Sequence, residues 1–500
     1  MNWLFNLSFA AFCFFPYRMG LAQETRAPVT SGPAAVTLSI EDALRLAERA
    51  SEDVTAAVAA VKRAEAQQMQ ARSEWYPQIN GSLSYDRLLE PDVDDLAASG
   101  MMGPTAGTGF MPFFQENTWR AGFTLSQNIF AGGRSLARQG MSNAARKIAE
   151  LDLDAARALT VLTTVQGYYD AVLGQQLVTI AEAALQQAEI TLKQVKLGGR
   201  QGTRPEFDVL RAQVTVENQR PQLLTARMQR DQALLRLKQF LDIPLEKDLV
   251  LTSTLEEEQM RDLTSVARQT AHLSEPRKDQ DSRLVVEQAL TAVEMREAGV
   301  DLAKSQHWPN ISAVSNYGWA AYPESGLPES KEWFRNWTAG VQLTVPIFSG
   351  LRIQGEQRSA AADLEEAQAR ARQIREQAAL DARSAADQLA SAKAQWEASA
   401  GTVSQAERAY QIAEIRYRDG ISTQLELADS RLQLQQAQAN RARAARDLQV
   451  ARVRFTLLPH LPLSAASIVR SDTGSLSSGT ANTAPTETTP AAQGVGTVPN

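Results

Sequence analysis

Cysteine, histidine and long apolar runs are nearly absent from this chain, and each absence excludes something. Its one cysteine, Cys13, lies close to the start of 500 residues. Disulfides within the chain, Cys-ligated zinc and a thiol nucleophile in a processed form are therefore excluded. The three histidines, His272, His307 and His460, are scattered, and none has a metal-ligand neighbour at helical spacing. No nucleophile stands beside a base, and Gly198-Gly199-Arg200-Gln201-Gly202 lacks the context of a phosphate loop. The chain reads as non-enzymatic, with no cofactor and no metal. A net charge of −6 gives no sign of nucleic-acid binding. Aromatics make up only 6%, too few for several fat globular cores.

The first 22 residues read as a signal peptide. Leu4 to Phe15 is an apolar run, Pro16 breaks it, and Gly20 and Ala22 suit cleavage before Gln23. The run is too short for a stable membrane anchor, and no later stretch reaches the roughly 18 apolar residues of a transmembrane helix. Cys13 follows Phe12, where a lipid-attachment site takes a small residue. An exported chain without a membrane helix is periplasmic, secreted or an outer-membrane β-protein.

The sequence then repeats itself. Trp119-Arg-Ala-Gly122 returns as Trp337-Thr-Ala-Gly340, and Ile129-Phe130-Ala131-Gly132 as Ile347-Phe348-Ser349-Gly350. Gly202 matches Gly420 and Asp208 matches Glu426, all at a spacing of 218 residues. Upstream, Trp75-Tyr76-Pro77 matches His307-Trp308-Pro309 at 232, so the segment between is longer in the first copy. The first repeat runs over 38–242 and the second over 281–457. A charged linker occupies 243–280, and the tail 464–500, rich in Ser, Thr, Gly, Ala and Pro, reads as disordered.

Each repeat holds two strands. Period-two alternation predicts them at about 77–87 and 118–128 in the first repeat, and about 308–318 and 337–347 in the second. Ile79, Leu83 and Tyr85 alternate with Gln78, Asn80, Ser82 and Ser84; Trp337, Ala339, Val341 and Leu343 alternate with Thr338, Gly340, Gln342 and Thr344. About ten residues is the length of a tilted membrane-spanning β-strand. Of the 25 aromatics after residue 22, 17 fall within 75–130 and 308–348, so the scarce bulky residues are spent on the strands. Trp75, Tyr76, Trp119, Phe130, Trp308, Trp337 and Phe348 are expected at strand ends, where aromatic girdles meet membrane interfaces. Two ordinary soluble hairpins are the plain alternative.

After each second strand the period lengthens. A seam of Ala367, Ala371, Ile374, Ala378, Ala382, Ala385, Leu389, Ala392 and Trp396 steps by three and four. No proline interrupts 351–419, which predicts a helix of roughly 100 Å at 1.5 Å per residue. The first repeat has a matching run from about Arg134 to Arg200. Both are expected to stop at glycine turns, Gly202 and Gly420. Returning helices follow at about Pro205–Leu241 and Thr423–Leu457, with a kink expected at Pro221.

Four strands cannot close a membrane barrel, which takes at least about eight. Two chains would give eight strands with a filled interior, and three would give twelve with room for a lumen. A conduit favours the trimer.

The duplicated strand entries WYPQI and HWPNI, the pair SQNIFAGG and TVPIFSGL, and the turns GTRPEFDVLRAQ and GISTQLELADSR resemble the TolC family of outer-membrane efflux and secretion channels. The resemblance covers about 38–457. It implies a mainly α chain with membrane β: a homotrimer whose 12-stranded β-barrel, four strands per chain, sits in outer-membrane lipid and continues into a long α-helical barrel across the periplasm. The location implied is the Gram-negative outer membrane. The function implied is a passive duct of a tripartite efflux or type I secretion system. Its partners would be a periplasmic adaptor and an inner-membrane transporter, with small molecules or proteins as cargo.

Glu426 and Asp429 are spaced i, i+3, which puts both carboxylates on one helix face; a trimer would ring six of them. The resemblance makes them the acidic ring of the periplasmic aperture. It likewise implies gating turns at Gly202 and Gly420, with Tyr417 bonded toward Asp208. The partner arginine that the family carries after the second turn is replaced by Ser422, leaving Arg204, Arg211 and Arg418 as candidates for its place.

Two other readings compete. A periplasmic adaptor would carry one hairpin flanked by β-rich soluble domains, and a coiled-coil envelope protein would need no aromatic-bordered strand pairs.

Overall fold

A computed structural model describes residues 36–89, 117–252, 255, 283–323 and 326–463. The predicted signal peptide, most of the linker and the tail lie outside the described residues. In chain order the elements are β1 (Val36–Leu38), α1 (Ile40–Ala50), α2 (Glu52–Ser73), β2 (Gln78–Arg87) and β3 (Asn117–Phe130). Then come α3 (Arg134–Arg200), α4 (Glu206–Phe240), β4 (Leu249–Leu251), α5 (Leu284–Ser305) and β5 (Asn310–Ala321). The chain continues with β6 (Trp333–Thr344), α6 (Arg352–Arg418), α7 (Gln424–Leu457) and a final 3-10 turn, Leu458–His460.

Four strands form one antiparallel sheet in the order β2-β3-β5-β6. Its register decides the chemistry of its faces. Opposed residues share a face, and the pairing runs Tyr85–Trp119–Ala321–Trp333 in one row and Leu83–Ala121–Trp319–Arg335 in the next. All odd-numbered strand residues up to Gln127 therefore share one face, which is dominated by apolar and aromatic side chains. The even-numbered face carries Ser82, Ser84, Thr124, Ser126, Asn316, Thr338 and Gln342. A bulge between Asn128 and Phe130 shifts the parity, so that Phe130 joins the apolar face opposite Ile311. On the polar face Gly122 meets Gly318. A Cβ at Gly122 would lie 3.0 Å from the Gly318 Cα, so a side chain there would push the two strands apart.

Proline sets several strand limits. Pro77 and Pro309 cannot donate to a ladder, so β2 begins at Gln78 and β5 at Asn310; Pro346 follows shortly after β6 ends at Thr344. The second-repeat strands thus lie at 310–321 and 333–344, not at 308–318 and 337–347. Pairing of Trp333–Asn336 with Gly318–Ala321 adds the missing length at the far end. Trp337 is consequently inside β6, facing Tyr317, and Phe348 falls beyond the strand.

The helices repeat the lateral order of the sheet. Beside the strands the packing order is α2-α3-α5-α6, and farther away it is α4-α3-α7-α6. The long helices α3 and α6 have 67 residues each, so each spans about 100 Å. They differ in cover: α3 buries 20 residues and α6 only eight, because α3 is flanked on both sides and α6 lies at the edge. Four of those eight are Ala371, Ala378, Ala385 and Ala392, one every seven residues, a period that suits close supercoiled pairing with α5 and then α7. The close approach of α3 to α4 uses Gly174, where a Cβ would lie 2.9 Å from the Arg230 Cα. α4 contains Pro221 within its span, where the sequence places it.

At mid-height the two repeats are secured differently. The first uses an apolar core in which Leu38, Leu44, Val165, Tyr168, Leu237 and Leu457 meet; the Tyr168 hydroxyl donates to the Leu38 carbonyl at 3.1 Å. The short parallel pair β1–β4 lies beside it. The second repeat, besides lending Leu457 to that core, adds buried charge beside a small apolar cluster of Val285, Val286 and Ala378. Arg283, just ahead of α5, reaches Asp381 of α6 at 2.9 Å and the Ala378 carbonyl at 2.6 Å. Arg454 of α7 approaches the other Asp381 oxygen at 3.6 Å, and Asp381 is 2% exposed. This cluster joins the start of α5 and the end of α7 to the middle of α6.

Arg283→Met removes one arm of the cluster and leaves the buried Asp381 carboxylate under-compensated, so a loss of about 3–5 kcal/mol is expected. Arg283→Met with Asp381→Leu is expected to recover most of it. Denaturant midpoints of the three proteins check this, and a double variant as unstable as the single would contradict it.

Candidate functional site

The site is built where both long helices stop. α3 ends in the turn 201–204, with Gly202 at φ 70°, and α6 in the turn 419–422, with Gly420 at φ 74°. Both close with the same bond six residues wide: Thr203 N–H to the Gly198 carbonyl at 2.9 Å, and Ile421 N–H to the Arg416 carbonyl at 2.8 Å. A left-handed residue at this place is easiest for glycine. The returning helices start differently. Pro205 precedes α4, whereas the Thr423 hydroxyl caps α7 by accepting from Glu426 N–H at 3.3 Å.

The two hairpin ends pack on each other around Val195, Ala212, Ala413, Tyr417 and Leu427. Tyr417 is 5% exposed, although it is the penultimate residue of a helix that buries only eight of its 67 residues. Of the three candidate arginines, Arg204 is the one that meets it. Its guanidinium lies 4.5 Å from the centre of the Tyr417 ring and donates to the Tyr417 backbone carbonyl at 3.0 Å. A cation at that carbonyl also opposes the negative end of the α6 dipole. Arg211 lies instead over Phe207, at 5.7 Å, and Arg418 is exposed. Burial holds the Tyr417 phenol above its ordinary range; Arg204 pulls it back and Asp208 pushes it further up.

The Tyr417 hydroxyl has no hydrogen-bond partner among the described residues, so the expected bond toward Asp208 is not formed; Asp208 joins the contact through its backbone. The buried Gln424 amide, oriented to satisfy both ends, donates to the Asp208 carbonyl at 3.0 Å and accepts from Ala212 N–H at 3.1 Å. About two turns further in, the buried Arg431 donates to the Thr191 hydroxyl at 2.9 Å. The hairpins are therefore linked by two arginines and a glutamine, one from the first repeat and two from the second. Sequence reading named Arg204 only among alternatives and missed Gln424 and Arg431; only their burial distinguishes them from other polar helix residues.

The two acids differ. Glu426 lies 3.5 Å from Arg416, on the other side of the glycine turn, so part of its charge is compensated. Asp429 is exposed and accepts only a neutral hydrogen bond from Gln433 at 2.9 Å. The stronger uncompensated field at the tip therefore belongs to Asp429. Among the described residues no group of His, Cys, Asp and Glu is arranged to hold a metal.

The aromatics fall into two levels. Trp75, Tyr76, Phe130, Trp308 and Phe348 lie at the helix end of the sheet and are 44–85% exposed. Trp119 lies at the far end, packed on Tyr85 at 4.7 Å, with its indole N–H on the Gly326 carbonyl at 2.8 Å. Trp337, 72% exposed, lies four pairs inside that end.

The chain matches the family described as outer membrane efflux protein over residues 43–241 and 278–479. A comparison with curated protein sequences finds no match. Among solved structures, the Campylobacter jejuni CmeC outer membrane channel aligns with TM-score 0.70 at 19% identity, over 86% of this chain and 87% of that one. Vibrio cholerae outer membrane protein VceC gives 0.65 at 18%, over 84% and 95%. The open state of the Neisseria gonorrhoeae MtrE outer membrane channel gives 0.66 at 16%, over 85% and 89%. At these identities the structural likeness speaks for the fold.

Removing Arg204 should free the tip. Arg204→Met is expected to raise amide hydrogen exchange at 417–423 several-fold and leave the mid-height core unchanged, with Arg200→Met as the neutral control. Alkali should act on the same contact. A phenol raised above its unfolded value near 10 contributes stability that is complete below that pH and lost as pH rises toward the folded value. The denaturant midpoint should therefore fall above about pH 10, and less steeply in Tyr417→Phe.

Proposed function

The chain belongs to the outer membrane efflux protein family, and from that premise we propose that three copies form one passive export duct through the outer membrane. The single observation that carries the reading is the sheet. One face is apolar, the other polar, and both edges, β2 and β6, are open. In lipid each unpaired backbone N–H or C=O costs several kcal/mol, so open edges do not persist there. Pairing β2 of one copy with β6 of the next closes twelve strands and removes every edge. The ten residues of β2, at a tilt near 40°, stand about 25 Å high, the height of a barrel's apolar band.

The helices carry the same logic below the membrane. α6 and the pair α2/α4 are edge elements in the same order as β6 and β2. Their exposed apolar residues, among them Leu210, Val214, Leu224, Ile412 and Ile415, favour cover by neighbouring copies. Burying such a side chain is worth about 1.5–3 kcal/mol. Twelve helices would then enclose a periplasmic conduit narrowing to the tip. There Gly202, Gly420, Tyr417, Asp208 and Arg204 hold the constriction, and Glu426 and Asp429 present carboxylates to the passage. Such rings select cations. Energy and cargo choice come from an inner-membrane transporter reached through a periplasmic adaptor. Trp75, Tyr76, Phe130, Trp308 and Phe348 would mark the inner interface, and Trp119 and Trp337 the outer one.

A heat-sensitive trimer on unheated SDS gels of the membrane fraction, seen by electron microscopy as a cylinder about 140 Å long, is the expected result. A monomer in mild detergent would sink the reading. In planar bilayers Asp429→Asn should weaken cation selectivity and multivalent-cation block more than Glu426→Gln, because Arg416 already offsets Glu426. Unchanged selectivity in the double variant would remove the acids from the aperture.

A further inference from the structure

The face of the sheet that the duct reading turns toward lipid is not wholly apolar. Among the odd-numbered described strand residues there is no acid, and the two charges are both arginines, Arg87 and Arg335. Both lie at the end of the sheet farthest from the helices. Arg335 stands between Trp333 and Trp337 on its own strand and opposite Trp319 on the next. Tryptophan collects at headgroup level, so three indoles fix the depth of this cation. Arg87 lies two pairs beyond the Tyr85–Trp119 row, on the same face. Both arginines are exposed.

The inner face handles charge differently. There Arg120 is bonded to Asp86 at 2.7 Å, so its charge is compensated within the chain. Among the described residues nothing comparable stands on the outer face, where a lipid-facing arginine is costly at the bilayer midplane and tolerated only near an interface. An anion supplied at that depth would turn the cost into a gain, because guanidinium and phosphate oxygens form bidentate, charge-assisted bonds. In the trimer β2 of one copy adjoins β6 of the next. Each seam then brings Arg87 of one copy and Arg335 of its neighbour to the same face and the same end.

We propose that Arg87 and Arg335 form, at each subunit seam, a binding site for the phosphate of an outer-leaflet lipid headgroup. The indoles receive the apolar part of that lipid. The inference rests on the trimeric barrel and adds a lipid partner that the duct itself does not require. A phosphorylated lipid held across a seam also tethers neighbouring copies.

The test uses the full-length trimer in detergent, titrated with diphosphorylated lipid A and with the same lipid stripped of phosphate, and read by native mass spectrometry. Wild type should prefer the phosphorylated lipid by roughly tenfold, the scale of one charge-assisted contact. Arg87→Gln with Arg335→Gln should abolish that preference, and Arg335→Lys should retain part of it. Arg120→Gln, on the opposite face, should leave it as in wild type. Excess inorganic phosphate should not displace the lipid. Equal retention of both lipids by wild type, an unchanged preference in the double variant, or displacement by phosphate alone would each overturn the proposal. Failure of the duct reading is visible separately, because no particle of trimer mass would then appear before lipid is added.

Discussion

An unpaired backbone hydrogen bond is the constraint on which the rest of this structure turns. A four-stranded sheet has two edges wherever it ends, and a bilayer offers no water to satisfy them. In water an open edge invites aggregation, and in lipid it is not sustained. The chain therefore cannot be complete as a membrane element by itself. In the proposed duct, copies pair edge to edge, and the helices, which share the lateral order of the strands, are carried into the same ring. The small residues along α6 and the Gly174 contact let neighbouring helices come close enough for a thin wall to be continuous.

Duplication gives that wall its repeat, and divergence gives the two copies separate tasks. α3 is flanked along its length and has become the apolar spine, with Tyr168 and Tyr169 buried at mid-height. α6 lies at the edge and keeps a sparse alanine seam with one buried charged cluster, Arg283–Asp381–Arg454. The strand-to-helix turns diverge too. Both place two residues in succession in the left-handed region, Gly132-Gly133 in one repeat and Gly350-Leu351 in the other. At Gly132 a side chain would run into Trp308 and the Ser305 carbonyl, whereas Gly350 faces open space. The demand on the first turn is steric as well as conformational.

At the tip the same divergence makes a latch from unlike halves. The first repeat supplies Arg204 and the backbone of Asp208, and the second supplies Tyr417, Gln424 and Arg431. A cation over an aromatic ring and at a helix C-terminus is a modest contact, worth about 0.5–2 kcal/mol. That magnitude would suit the proposed aperture, a closure held without being permanent.

The sequence by itself determined what depends on local geometry. Period two marked the strands, a period near three and a half marked the long helices, and glycine marked their ends, because each follows from the bonds of neighbouring residues. Repeat spacing exposed the duplication, and strand number with strand length pointed to more than one copy. Tertiary structure alone decided what depends on segments remote in the chain. The register put the apolar residues of four strands, with two arginines, on one face, and moved Trp337 from a strand end to its interior. Packing chose Arg204 over Arg211 and Arg418, paired Glu426 with Arg416, and buried Asp381 in a helix whose sequence reads as polar. Periodicity records which way a side chain points along its own element; only folding records what it meets there.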